Sequence, residues 1–187
     1  MNKEIAVFLD RDGTINKDRG YICRYEDIEI FPYAIDAIKV FRSRGFKVLV
    51  VTNQASIARA ICTEEQVRDI HRRMNDFLQS AGAPIDAYYY SPYHEEGVVP
   101  AFTMKHEWRK PSPGMILQGA EDFNVDLARS YMVGDSAGDI IAGKRAGCRT
   151  ILVLTGHGVK AREELAQQNE PADYVVDNLW EAVQYIK

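Results

Sequence analysis

Cysteine is scarce in this chain of 187 residues: Cys23, Cys62 and Cys148 are the only three, scattered with no close pair. The expectation is three free thiols in a reducing cytoplasm. Long apolar runs are missing too, and none reaches the ~18 residues that a membrane-spanning helix needs. The apolar start Ile5–Leu9 stops at Asp10-Arg11-Asp12. It is too short for a secretory signal, and no small-residue cleavage site follows it. Positive charge is in deficit, with 23 Lys and Arg against 27 Asp and Glu, a net charge of −4. A basic face for nucleic acid is therefore not expected, nor is a membrane partner. No internal repeat, low-complexity tract or linker interrupts the chain. The expectation is one monomeric, cytoplasmic domain over residues 1–187.

What is present is an alternation of apolar runs with helical patterns, the signature of an α/β sheet. Strands are expected at Ile5–Leu9, Lys47–Val51, Ala87–Tyr90, Tyr131–Val133, Thr150–Leu154 and Tyr174–Val176. Helices are expected at Tyr33–Arg44, from the capping box Thr63-Glu64-Glu65-Gln66 to about Ala81, from Pro113-Gly114 to about Phe123, and at Asp139–Ala146. Two more follow, at Lys160–Gln168 and Leu179–Ile186. A loop of about twenty residues, 91–110, is long for a compact domain and is expected to shape the substrate pocket. The inserts after the first and second strands hold no surplus for a separate cap domain. The fold expected is one doubly wound, Rossmann-like parallel sheet.

Chemistry concentrates where strands end. Phe8-Leu9 runs directly into Asp10-Arg11-Asp12-Gly13-Thr14. At the end of a parallel strand the chain opens into the crevice where such sheets bind ligands. Two carboxylates ~4 Å apart repel by about 4 kcal/mol at an effective dielectric of ~20. A divalent cation resolves that conflict, and oxygen ligands favour magnesium. One Asp-x-Asp-Gly alone fits an ordinary turn equally well. Three further clusters tip the balance: Thr52-Asn53-Gln54 after the second strand, Arg109-Lys110-Pro111 before a helix, and Gly134-Asp135-Ser136 with Asp139 after the fourth strand. Parallel strands would bring Asp10, Thr52 and Asp135 to one sheet edge.

These motifs resemble those of the haloacid dehalogenase (HAD) superfamily of phosphatases. The joint pattern of Asp10-x-Asp12, Thr52, Lys110 and Gly134-Asp135-x-x-x-Asp139 is specific to it and spans nearly the whole chain. The segments around Asp10, Thr52-Asn53-Gln54 with Ile57-Ala58-Arg59, and Arg109-Lys110-Pro111-x-Pro113-Gly114-Met115 look like the heptose 1,7-bisphosphate 7-phosphatases. Histidinol-phosphate phosphatases are close relatives and supply the alternative.

The resemblance implies that Asp10 attacks phosphorus and that Asp12 serves as general acid and then base. Magnesium would be held by Asp10, the Asp12 carbonyl and Asp135, with Asp139 orienting the site. Thr52 and Lys110 would bind phosphate oxygens. Arg59 and Arg109 are candidates for the distal sugar or second phosphate, because a guanidinium suits phosphate bidentately, and Asn53 either binds substrate hydroxyls or caps a turn. Arg11 is expected to alternate away from both acids and to be structural. Many members carry a structural zinc in the long loop, but the corresponding positions here are Ser91, Tyr93, His106 and Trp108. Zinc is therefore expected to be absent, with Tyr93, Phe102 and Trp108 packing the loop instead. Ala55-Ser56 and Ala60 also depart from the family's Ser-Gly and Gly.

Overall fold

The apolar run Ala6–Leu9 forms β1, buried on both faces at the middle of a six-stranded sheet. A computed structural model describes residues 3–187 and places all six strands parallel, in the order β3-β2-β1-β4-β5-β6. The flanking strands are β2 (Lys47–Asn53), β3 (Ala87–Ser91), β4 (Tyr131–Gly134), β5 (Arg149–Val153) and β6 (Tyr174–Val176). Leu9 is in register with Val50 of β2 and Val133 of β4. The strand order reverses around β1, which creates the crevice where open α/β sheets take their ligands.

Successive residues of each strand feed opposite faces, because the pleat has a period of two. Val7 and Leu9 join Val48, Val50 and Val133 on one face, under α1 (Pro32–Ser43), α2 (Glu64–Ser80) and α6 (Leu179–Ala182). Ala6 and Phe8 join Leu49, Val51 and Met132 on the other, under α3 (Gly114–Asp122) and α4 (Ala137–Ala146). α5 (Gly158–Gln167) packs Ala161 and Leu165 against Ile140 and Leu152. The α/β alternation expected from the sequence is present throughout.

Helix ends follow local chemistry. Thr63 and Gln66 complete the expected capping box of α2. Ser136 and Asp139 form a second one at α4, which therefore starts earlier than the expected Asp139. The last helix is shorter than expected. Asn178 caps it through the Trp180 and Glu181 amides, but it ends at Ala182, and the turns beyond draw Ile186 into the core.

The cysteines correct the expectation of free thiols. Cys23 and Cys62 are joined by a disulfide, and only Cys148 is free and buried. Thirty-nine positions separate the pair in sequence. Their approach arises because the loops after β1 and β2 meet, which spacing alone does not reveal. No helix among the described residues is long and apolar enough to cross a membrane.

Candidate active site

The tips of β1, β2 and β4 converge on one cavity of about 340 Å³. Asp10, Asp12, Thr52, Asn53, Lys110 and Asp135 all line it, and Asp10, Thr52 and Asp135 reach it from the ends of parallel strands. Asp10 extends β1 by one residue, its amide donating to the Val133 carbonyl at 2.9 Å. That bond holds it beside Asp135, which follows β4 directly.

Lys110 is the cation among these acids. Its Nζ donates to Asp10 Oδ1 at 2.8 Å and to the Val51 carbonyl at 2.7 Å, and forms an ion pair with Asp139 Oδ1 at 2.5 Å. Burial works against its charge, yet the two carboxylates hold its pKa above the ordinary lysine value. Asn53 fixes the backbone of Lys110: its amide oxygen accepts from Lys110 N and its amide nitrogen donates to Lys110 O, both at 3.1 Å. Both ends of the Asn53 side chain are thus engaged with protein. Asp139 is fully buried behind the cavity, its Oδ2 accepting from Ser136 N and Oγ at 2.9 and 2.7 Å.

Asp10, Asp135 and Asp139 each offer an oxygen within 4.8 Å of the others. Burial raises the pKa of Asp10 to about 7, against the pull of Lys110 and with the help of the Asp139 charge. Burial likewise raises Asp135 to about 8, with the charges of Asp10 and Asp139 adding to it. Such crowded, desolvated carboxylates fit a hard divalent cation, which would supply the missing positive charge through oxygen donors alone.

The carboxylate of Asp135 passes between two glycines in the left-handed region, Gly13 (φ +82°) and Gly156 (φ +54°). A Cβ on either would stand 2.1 or 2.0 Å from Asp135 Oδ2, so only glycine fits. The amide of His157 donates to the same oxygen at 2.8 Å. Sequence reasoning singled out neither Gly156 nor His157, because they become neighbours of Asp135 only when β5 stacks beside β4.

Asp12 lies apart from the acidic cluster and corrects the expectation for Arg11. The Arg11 guanidinium does not point away from both acids; it folds back onto Asp12. Nε and Nη2 donate to Oδ1 at 3.1 and 3.0 Å, and Nη2 donates to Oδ2 at 2.7 Å. Strand alternation ceases at Leu9, and the turn beyond it frees the side chain to reverse. Asn16 and Gln54 also donate to Asp12, at 2.9 and 3.1 Å, and Gln54 donates to Thr52 Oγ1 at 3.0 Å.

The far wall comes from loops. Arg109 lines the cavity and donates to the Tyr93 carbonyl at 3.2 Å. Burial and the neighbouring Arg59 charge lower its pKa from the ordinary arginine value. Arg59 does not line the cavity; its Nη2 donates to Glu96 at 3.2 Å. Tyr21, His94, Asp18 and His157 complete the mouth, with His157 Nε2 2.9 Å from Asp18 Oδ2; Tyr21, Asp18 and His157 had no sequence signal. Within loop 91–110, Tyr93 stacks on His106 with ring centroids 3.9 Å apart and meets Phe102 edge-on, while Trp108 packs against Tyr89.

A parallel sheet with acids converging at the tips of β1 and β4 defines a HAD-like hydrolase. Residues 107–182 match the family model described as HAD-hydrolase-like. The chain is 40% identical to a D-glycero-beta-D-manno-heptose-1,7-bisphosphate 7-phosphatase of Yersinia pestis, over 97% of this chain and 95% of that one. It is 39% identical to the enzyme of the same name in Escherichia coli, over 97% and 93%. The crystal structure of the D,D-heptose 1,7-bisphosphate phosphatase of B. bronchiseptica, complexed with magnesium and phosphate, superposes with a TM-score of 0.84 at 30% identity over 97% of each chain. The chain belongs to this family of HAD-like phosphatases and is a phosphomonoesterase.

Proposed function

We propose that this enzyme hydrolyses the C7 phosphate of D-glycero-D-manno-heptose 1,7-bisphosphate through a phosphoryl group carried on Asp10, serving the synthesis of nucleotide-activated heptose. The observation that carries the reading is that a buried Asp10, paired with Lys110, lines the same cavity as the Arg109 guanidinium. A second cationic group beside the one at the nucleophile suits a substrate with two phosphates. The names of the relatives in Yersinia pestis and Escherichia coli support the same substrate.

In this mechanism an Asp10 oxygen attacks phosphorus as the bond to the sugar oxygen breaks. Asp12 gives its proton to the departing alkoxide, then takes one from the water that attacks the aspartyl-phosphate. Lys110 and the Thr52 hydroxyl hold the non-bridging oxygens. Asn53 keeps the Lys110 backbone in place, and Arg109, with Arg59 behind it, receives the distal phosphate. A magnesium ion held by Asp10, the Asp12 carbonyl and Asp135, with Asp139 orienting the site, would offset repulsion between nucleophile and phosphate.

We place the whole chain in one domain, with loop 91–110 shaping the pocket of a monomer. Stacked aromatics take the position of a structural zinc, since Ser91, Tyr93 and Trp108 are poor zinc ligands. A tetra-anionic bisphosphate does not cross a bilayer, so the enzyme must share the compartment in which its substrate is made, and we place both in the cytoplasm. Turnover of both heptose bisphosphate anomers, histidinol phosphate and other phosphate esters with magnesium tests the reading. The expected result is selectivity for a heptose bisphosphate, and a preference for histidinol phosphate would overturn it. Metal analysis of the purified enzyme should find no stoichiometric zinc.

A further inference from the structure

Arg11 is the largest fully buried side chain among the described residues, and the reaction proposed above assigns it no part. Burying a guanidinium is costly unless its donors are satisfied. Here one edge of the fork faces Asp12 through the three hydrogen bonds already described. The other edge, Nη1, lies 3.1 Å from His71 Nε2. Arginine has five donors, no acceptor and a permanent charge. His71 must therefore accept at Nε2 and carry its proton on Nδ1, as a neutral ring. Its surroundings agree, since burial and the Arg11 charge both hold its pKa well below the ordinary histidine value.

His71 is itself fixed. It sits on the buried face of α2, and its ring stacks on Tyr88 of β3 with centroids 4.9 Å apart and planes 21° from parallel. A continuous chain of contacts thus runs from the Tyr88–His71 stack through Arg11 to Asp12. Asp12 receives donors from Arg11, Asn16 and Gln54 together, so its side chain has one well-defined resting place. That place fits the carboxylate that remains once the proton has passed to the departing alkoxide.

We propose that Arg11 and His71 are positioning residues that dock the Asp12 side chain for proton transfer. This rests on the general acid–base role assigned to Asp12 above. Neither residue touches substrate; Arg11 sets where the Asp12 carboxyl lies, and His71 sets where Arg11 lies. Losing the His71 acceptor leaves Nη1 unpaired in the interior, so the guanidinium shifts and takes the general acid with it.

The test compares kcat/KM for two esters, heptose 1,7-bisphosphate and 4-nitrophenyl phosphate. An alkoxide leaves only with a proton, whereas 4-nitrophenolate needs none. The ratio of the two values is independent of how much of a variant is folded. Asp12→Asn should lower the alkyl-to-aryl ratio by about 100-fold, within the range of general acid catalysis. His71→Leu should lower it by about 10-fold, the scale of lost support behind a site residue. His71→Gln, which keeps an acceptor, should stay within about 3-fold of the native ratio, since the hydrogen bond to Arg11 can re-form. Arg11→Lys, which lacks the two-pronged grip, should resemble His71→Leu. A shift with Asp12→Asn but none with His71→Leu or Arg11→Lys overturns the positioning role and leaves Asp12 standing. No shift with Asp12→Asn removes the general acid, and the positioning role falls with it. A ratio for His71→Gln as low as for His71→Leu would also contradict it.

Discussion

The two ends of the cavity are built differently. At the strand-tip end, Asp10, Lys110, Asp135 and Asp139 are all buried and bind one another or backbone groups of β2, the α4 cap and the turn before α5. Behind the loop wall that Arg109 contributes, and outside the cavity lining, the Arg59 side chain is 33% exposed and its Glu96 partner 78%. Ion pairs that exposed contribute little to stability. Under the proposed function the contrast separates chemistry from recognition: the sheet edge would fix the reacting groups, while loops would carry the groups that read the substrate.

Four perturbations sharpen the contrast, beginning with the largest effect. Asp10→Asn should reduce turnover by about 10⁴-fold or more while the thermal midpoint is kept, because it removes the nucleophile and relieves crowding among buried acids. Circular dichroism alongside the assay checks both halves. Lys110→Met should cost about 10²–10³-fold in kcat, as loss of a preorganised charge at the phosphoryl group does. It should also destabilise the fold by about 3–5 kcal/mol, since it strands two buried carboxylates. Denaturant titration reads that loss.

The third perturbation acts on the loops alone. Reducing the Cys23–Cys62 bond reopens a loop of 39 positions, worth about 4 kcal/mol in the chain-entropy model. The thermal midpoint should fall on reduction, and KM should rise more than kcat falls. A cytoplasmic enzyme would meet these reducing conditions in the cell. The mildest is Arg109→Ala. It should raise KM for a bisphosphate by about 10-fold, with kcat kept and little change for a monophosphate, because uniform binding is all that is lost.

The same contrast explains what could be read from sequence. Asp10, Thr52 and Asp135 were legible because each follows a β-branched or apolar run, and parallel strands deliver such residues to one edge. Lys110 was legible from its neighbours Arg109 and Pro111, although its three partners were not. The Cys23–Cys62 bond was misread because it depends on two loops meeting. Arg11 was misread because strand alternation was extended past Leu9, where β1 has already ended. Gly156 and the His157 amide went unseen because only the stacking of β5 on β4 brings them to Asp135. Residue type alone leaves Asn53 open between substrate binding and a structural bond, and its amide pairs with the Lys110 backbone.

The central claim is that Asp10 carries the phosphoryl group. Asp12→Asn should slow its hydrolysis, so that variant can be mixed with substrate, quenched in acid on the millisecond scale and digested. The peptide containing Asp10 should gain the mass of one phosphoryl group at the rate at which sugar is released. Sugar release with no phosphoryl-enzyme at any time, or a phosphoryl group on another residue, would contradict the account.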